Sequence, residues 1–279
     1  AAKAAEGYKV TDISNSLYKE ADIAFDGTAR VERVDADTYL MGLAASQFTN
    51  TNGNFNNVEF DVTDGSLTIS PRKVTLTSGS DEKVYDGTPL MKDEVTVGED
   101  GFVGSDGAEW KVTGTITETG STQNEFTYKL KTGTKAQNYD ITPVKGTLTV
   151  NPSANTVVVT IKGNTDTVTY DGNEHLVSGY TVESIEINGK ATKLYTKDDF
   201  TFSGTAEVTK KDAGTYPMGL TEAQFTNKAT KNFPNVTFVV TDGSLKINQR
   251  DVILTSEGAT KPYDGTSLTR PDVKMTGSG

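Results

Sequence analysis

The stretch Lys83-Val84-Tyr85-Asp86-Gly87-Thr88-Pro89-Leu90 decides the reading of this chain. It returns as Lys261-Pro262-Tyr263-Asp264-Gly265-Thr266-Ser267-Leu268, and a variant, Thr169-Tyr170-Asp171-Gly172-Asn173, lies between the two. Tyr-Asp-Gly reads as the end of a strand running into a tight turn. The aromatic packs on a core, and Asp-Gly supplies the positive-φ positions of a primed turn. Three occurrences imply a repeated module in which Tyr85, Tyr170 and Tyr263 are buried anchors.

Working outward, the chain aligns with itself at a spacing of 178 residues. Tyr85 matches Tyr263, and Asp64-Gly65-Ser66-Leu67 matches Asp242-Gly243-Ser244-Leu245. Between Asp35 and Asn50, eleven of sixteen positions match Asp212 to Asn227, which implies duplicated units that fold alike. Two module types alternate. Each closes on a similar strand: Gly65 to Ile69, Gly146 to Val150, Gly243 to Ile247. The joints that follow, Ser70-Pro71, Asn151-Pro152 and Asn248-Gln249, are short, and proline there ends a ladder. The boundaries are therefore 1–70 for a type-1 module lacking its opening strands and 71–150 for a type-2 module. A complete type-1 module follows at 151–248, and 249–279 holds the opening strands of a second type-2 module.

Inside the modules the dominant period is two. Phe126, Tyr128 and Leu130 share a face, as do Val157, Val159 and Ile161, then Val58, Phe60 and Val62, and Val236, Phe238 and Val240. Asp64-Gly65 and Asp242-Gly243 read as hairpin turns before the closing strands. Helical candidates are brief: Leu43 to Phe48, Tyr195 to Phe200, Leu220 to Phe225. The Ala-rich start, Ala1 to Ala5, reads as a frayed end.

Of the 279 residues, 34% are hydrophobic and 23% charged, and the patterning is too regular for a disordered tail. A net charge of −11 and a pI near 4.7 argue against nucleic acid and against docking on anionic lipid. No apolar run approaches the length of a membrane helix, so membrane insertion is not expected of this fragment. It opens at Ala1 with no signal peptide, as a mature fragment of a longer precursor would. The absence of cysteine removes disulfides, thiolate metal sites and cysteine nucleophiles together.

No catalytic constellation emerges, and no catalytic, cofactor-binding or metal residue is assigned. Tyr-Asp-Gly offers a calcium ion one carboxylate where several oxygens are needed. Asp198-Asp199 and Glu99-Asp100 read as solvated loops. His175, the lone histidine, has no nucleophile motif nearby and reads as a loop or strand-edge side chain. Trp110, the lone tryptophan, shares strand parity with Val112 and reads as core; a solvent-facing Trp110 would instead be a sugar-stacking platform. A Lys73–Asn151 isopeptide crosslink is disfavoured because Asp251 replaces Lys73 in the second copy.

Tyr85-Asp86-Gly87-Thr88, the preceding Val74 to Thr77 strand and the closing Gly146 to Val150 together resemble the YDG and MBG-type repeat domains. These occur in large surface and adhesin-like proteins of bacteria. The other module is similar through Tyr170-Asp171-Gly172, Phe202 to Ala206, Ala213 to Tyr216 and Thr241 to Leu245. The resemblance implies an extracellular, repetitive, non-enzymatic stalk on a Gram-positive cell wall.

The expected fold is all-β, an elongated array of small Ig-like β-sandwich modules, with a β-grasp unit containing one short helix as the alternative. The expected function is a structural and adhesive stalk, with an array of carbohydrate-binding modules as the alternative. Surface glycans or proteins of a host or microbe are the expected partners, and no cofactor is expected. The two incomplete ends suggest strand-swapped self-association, with the segment 250–268 of one chain filling the gap in another.

Overall fold

The computed structural model describes residues 2–277 and is all-β. Among the described residues there is no α-helix, only five three-residue 3-10 turns, so the helix of a β-grasp unit is not present. Three of those turns, Ala45–Gln47, Lys197–Asp199 and Glu222–Gln224, fall inside the three segments expected to be briefly helical. The residues group into two compact units. One holds the residues up to Glu82 with Pro89–Ile116 and Gly120–Thr149. The other holds Lys83–Thr88, Thr117–Thr119 and the residues from Val150 onward.

In the second unit, the strand Val157–Gly163 is the spine. Its alternating Val157, Val159 and Ile161 are fully buried, each worth about 2 kcal/mol of apolar transfer. It pairs antiparallel with Tyr180–Ile187 and parallel with Val236–Thr241. The buried side chains of this sheet pack with Phe200 and Phe225 of the two-stranded ribbon Phe200–Phe202 and Phe225–Asn227, and with Tyr195 and Phe233. The chain then crosses at Gly163 into a second sheet, where Thr165–Thr169 runs parallel to Ser244–Asn248, which also pairs with Gly214–Pro217. A ribbon of His175–Ser178 and Glu207–Lys210 joins that sheet around Val177, Val208, Met218, Leu245 and Ile247. The result is a pair of small sandwiches sharing one continuous opening segment.

The first unit repeats part of this plan. Lys3–Glu6 pairs with Arg30–Arg33 as His175–Ser178 does with Glu207–Lys210, so the Ala-rich start is a strand rather than a frayed end; Ala1 lies outside the described residues. The ribbon Ile23–Phe25 with Phe48–Asn50 matches Phe200–Phe202 with Phe225–Asn227. No counterpart of Val157–Thr169 occurs among residues 2–70. Val58, Phe60 and Val62 form no strand, because none of residues 2–70 supplies the neighbour that orders Val236–Thr241.

Also in this unit, Arg72–Ser78 runs parallel to Tyr139–Val144 and antiparallel to Val95–Glu99, burying Val74 and Leu76 against Val95, Ala108 and Tyr139. Asp35 ties the two halves of the unit: its carboxylate accepts from Lys135 at 2.6 Å and from Asn138 at 2.9 Å, holding it below the usual carboxylate range.

At the C-terminal end, Ile253–Ser256 pairs with Val273–Thr276 as an exposed hairpin. Lys261 to Tyr263, expected as a strand, is irregular. Its equivalent, Asp81–Val84, shares a sheet with Thr147–Asn151, a strand that has no counterpart among residues 249–277.

Candidate functional site

The Tyr-Asp-Gly turns are built the same way in each copy. Gly87, Gly172 and Gly265 have φ of 76°, 82° and 74°, the left-handed conformation that only glycine adopts without strain. The turns are not hairpins with a primed pair. The aspartate instead accepts from the backbone two residues on, Asp86 from Thr88 N, Asp171 from Asn173 N and Asp264 from Thr266 N. Lys83 donates to Asp86 at 2.6 Å and Lys261 to Asp264 at 2.8 Å. These lysines are the first cause, and the threonines Thr88 and Thr266 further causes, of carboxyls held below the usual range. Such satisfied turns leave no carboxylate oxygens gathered for a cation, and the described residues hold no group of three or more His, Asp or Glu side chains that could take a metal.

The anchors differ. Tyr85 is half-buried against the Phe233 core, and Tyr170 packs beside Leu245 and Ile247. Tyr263 is 99% exposed, contrary to the expectation for all three, because nothing described lies beside it to form a core.

Asp64-Gly65 and Asp242-Gly243 are not hairpin turns either. Each carboxylate accepts from two successive amides across a loop, Asp64 from Gly42 and Leu43, Asp242 from Gly219 and Leu220. The pattern Met-Gly-Leu facing Asp-Gly was present twice in the sequence and carried this signal. A second missed feature is a tyrosine that reaches back to the ribbon: Tyr195 donates to Asp199 O and Asn227 Oδ1, as Tyr18 does to Asp22 O and Asn50 Oδ1. Asp199 caps its own turn through Thr196, so the acidic pair Asp198-Asp199 is a structural loop.

His175 Nε2 donates to the Asp171 carboxylate at 2.9 Å, within its own turn. Backbone and side-chain bonds from Asn173, then the bond with His175, lower the Asp171 carboxyl to about 2. Trp110 is exposed to 40% rather than core. It lies directly opposite Tyr128, exposed to 39%, in the antiparallel pair Ala108–Val112 and Phe126–Leu130. Lys73 is exposed and sits opposite Asp140 in the parallel register.

A groove of about 780 Å³ in the first unit is lined by Tyr8 to Ile13 and by Val58 to Val62. Leu43, Phe48 and Phe55 also line it. Tyr8, Val10 and Ile13 correspond to Tyr180, Val182 and Ile185, and Val58, Phe60 and Val62 to Val236, Phe238 and Val240. In the second unit the strand Val157–Gly163 lies between those two segments. The aromatic floor is the same in both. Tyr8 meets Phe25 and Phe48 at 4.8 and 5.1 Å between ring centroids, and Tyr180 meets Phe202 and Phe225 at 5.1 and 5.2 Å. Covering differs: Phe200, Leu220, Phe225, Phe233 and Phe238 are buried, whereas Ile23, Leu43, Phe48, Phe55 and Phe60 are only half-buried.

No curated protein and no solved structure matches the chain. The complete type-1 module does match a known family, over the same residues that carry the spine strand, both sandwiches and the Tyr170 turn. Residues 156–249 match the family model of the MBG domain.

Proposed function

We propose that this chain is a non-catalytic, structural repeat stretch of a bacterial cell-surface protein, a stalk that transmits tension between an anchor and whatever lies beyond it. The observation that carries this reading is the direction of its terminal strands. In the MBG domain the opening strand Val157–Gly163 and the late strand Val236–Thr241 are parallel neighbours over six register pairs. Thr165–Thr169 is likewise parallel to the closing strand Ser244–Asn248. Pulling on the two ends loads those ladders in shear, so many hydrogen bonds must fail at once. Forced unfolding is governed by the unfolding barrier, which such an arrangement raises. Arg72–Ser78 and Tyr139–Val144 have the same parallel relation. An MBG domain within a cysteine-free acidic chain is in keeping with an extracellular location on a cell wall.

The test is single-molecule force spectroscopy on the full chain, with cysteine handles placed in a background that has none. Handles at Asn155 and Arg250 load the parallel ladders in shear. Handles at Asn155 and Asn188 unzip the antiparallel pair Val157–Gly163 with Tyr180–Ile187 one bond at a time. Shear loading should need the higher force, and equal forces would overturn the stalk reading.

A second reading rests on Trp110 and Tyr128, two exposed aromatics facing each other across one strand pair. They make a flat apolar surface of the kind on which a sugar ring stacks. Under this reading the chain binds surface glycans, and binding on a glycan array is abolished by Trp110→Ala with the fold unchanged.

A further inference from the structure

Val236–Thr241 is an open sheet edge, and the geometry points to its pairing with the same strand of a second copy of this chain. The two strands would run antiparallel about a twofold axis at Phe238.

The parity of the strand shows which groups are free. Val157 donates to Asn235 O at 2.9 Å, and the register with Val157–Gly163 is parallel. Thr237, Val239 and Thr241 therefore turn their amides and carbonyls toward that neighbour. Val236, Phe238 and Val240 turn theirs outward, where the sheet has no further strand. Among the described residues, none bonds to these outward groups. The side chains of Val236, Phe238 and Val240 pack on the core, and those of Thr237, Val239 and Thr241 are exposed.

Two counterpart segments are blocked against pairing, and this one is not. Val58 to Thr63 reads Val-Glu-Phe-Asp-Val-Thr, so Glu59 and Asp61 stand where Thr237 and Val239 do. In the type-2 module the matching edge strand, Tyr139–Val144, carries Asp140 and Pro143. Pro143 is in register with Leu76 as Val240 is with Ile161, so the proline removes an amide that would point outward. Charge and proline are the common means of keeping an edge from pairing. Val236–Thr241 has neither, and its register with Val157–Gly163 runs without a bulge.

Charge and register define the occupant. A net charge of −11 makes copies repel, which favours a self-contact from which charge is absent, and this strand is uncharged throughout. With Phe238 opposite itself, Val236 falls opposite Val240, and these pairs exchange both backbone hydrogen bonds. Thr237 falls opposite Val239 on the outer face, so β-branched and aromatic side chains meet along the whole contact. Beyond it, Asp242 falls opposite Pro234 and meets no carboxylate; its own oxygens are held by Gly219 and Leu220. The product is one sheet continuous across two copies. This is lateral pairing and does not depend on the stalk reading.

The experiment is sedimentation equilibrium of the full chain over a concentration series, with amide exchange measured on the same samples. The native chain should dimerise. The amides of Val236, Phe238 and Val240 should slow at least about tenfold from dilute to concentrated protein, and those of Thr237, Val239 and Thr241, already bonded, should change less. Thr237→Glu with Val239→Asp, the charges carried at Glu59 and Asp61, should fold and stay monomeric. Thr237→Lys with Val239→Lys should also stay monomeric. Mixing the two variants should restore a one-to-one dimer, because residue 237 of each copy faces residue 239 of the other. A native chain still monomeric at about 1 mM would overturn the proposal and leave the edge to a different protein. So would a dimer that both charged variants retain, a mixture that stays monomeric, or slowed exchange that spares Val236, Phe238 and Val240.

Discussion

The rings of Tyr85 and Phe233 meet edge to face, with centroids 5.4 Å apart and planes at 90°. Tyr195 approaches the same Phe233 ring at 5.7 Å and 84°, so Phe233 is held between two tyrosine edges. The Tyr85 amide donates to Asn151 O at 2.8 Å, which fixes the approach of the Tyr-Asp-Gly turn to this core. The turn is thus part of the packing around Phe233 and Tyr195 and not a free loop.

Tyr85→Ala should destabilise the second unit by about 2 kcal/mol, through lost burial and a lost aromatic edge contact. Tyr263→Ala, at the matching repeat position, should change stability by less than about 0.5 kcal/mol, as befits an exposed site. Chemical denaturation of the two variants checks the contrast. Equal effects would mean the packing of Tyr85 is not what the repeat preserves.

Tyr195 is buried and shares its one hydroxyl proton between Asp199 O and Asn227 Oδ1, so Tyr195→Phe should cost about 1 kcal/mol, with Asp199 O and Asn227 Oδ1 keeping the amides of Lys228 and Ala229 as donors. Burial, then the charge of Asp199, push its hydroxyl up to about 12. The folded value lies above the unfolded 10, so the neutral form is stabilised by folding. That contribution is present below pH 10 and is lost as pH rises towards 12. An alkaline melt series should show a smaller loss in Tyr195→Phe than in the native chain, the remainder coming from Tyr18, Tyr85 and Tyr139, whose hydroxyls are also pushed up by burial.

Acid should act on the Tyr170 turn in the opposite sense. The Asp171 carboxyl, lowered to about 2 from 3.8, stabilises the turn when ionised. The contribution is complete above pH 4 and fades as pH falls through 2. A carboxyl titration followed by NMR should place the Asp171 midpoint below that of an exposed aspartate. Asp171→Asn should remove that pH response and raise exchange of the Asn173 amide.

Gly163→Ala should destabilise strongly, by about 2 kcal/mol or more, because its Cβ would sit against the backbone of Gly243 and neither segment can retreat. Gly65→Ala should be far milder, since only the end of the flexible Met41 side chain must move. Thermal melts of both variants test whether Gly65 is spare in the isolated chain.

By itself, the sequence was enough to determine the β class, the two-copy relationship and the strands of Val157–Gly163, Phe126–Leu130 and Ser244–Asn248. Their alternation of side chains is a local property, and in Val157–Gly163 and Ser244–Asn248 burial follows it, whereas in Phe126–Leu130 the alternate Tyr128 is exposed. It also determined the glycine conformation in each Tyr-Asp-Gly turn, because the αL requirement is local to the residue. Only the tertiary structure decided what those turns pack against. Tyr85 and Tyr263 share one motif, and one meets Phe233 while the other is bare, a difference made by residues distant in the chain. The same holds for Trp110, whose strand parity says which face it shares with Val112 but not how far that face is covered. Val58 to Val62 is the clearest instance. Its alternation is that of Val236 to Val240, yet a strand exists only where a neighbour supplies its hydrogen bonds, and in this copy none of residues 2–70 does.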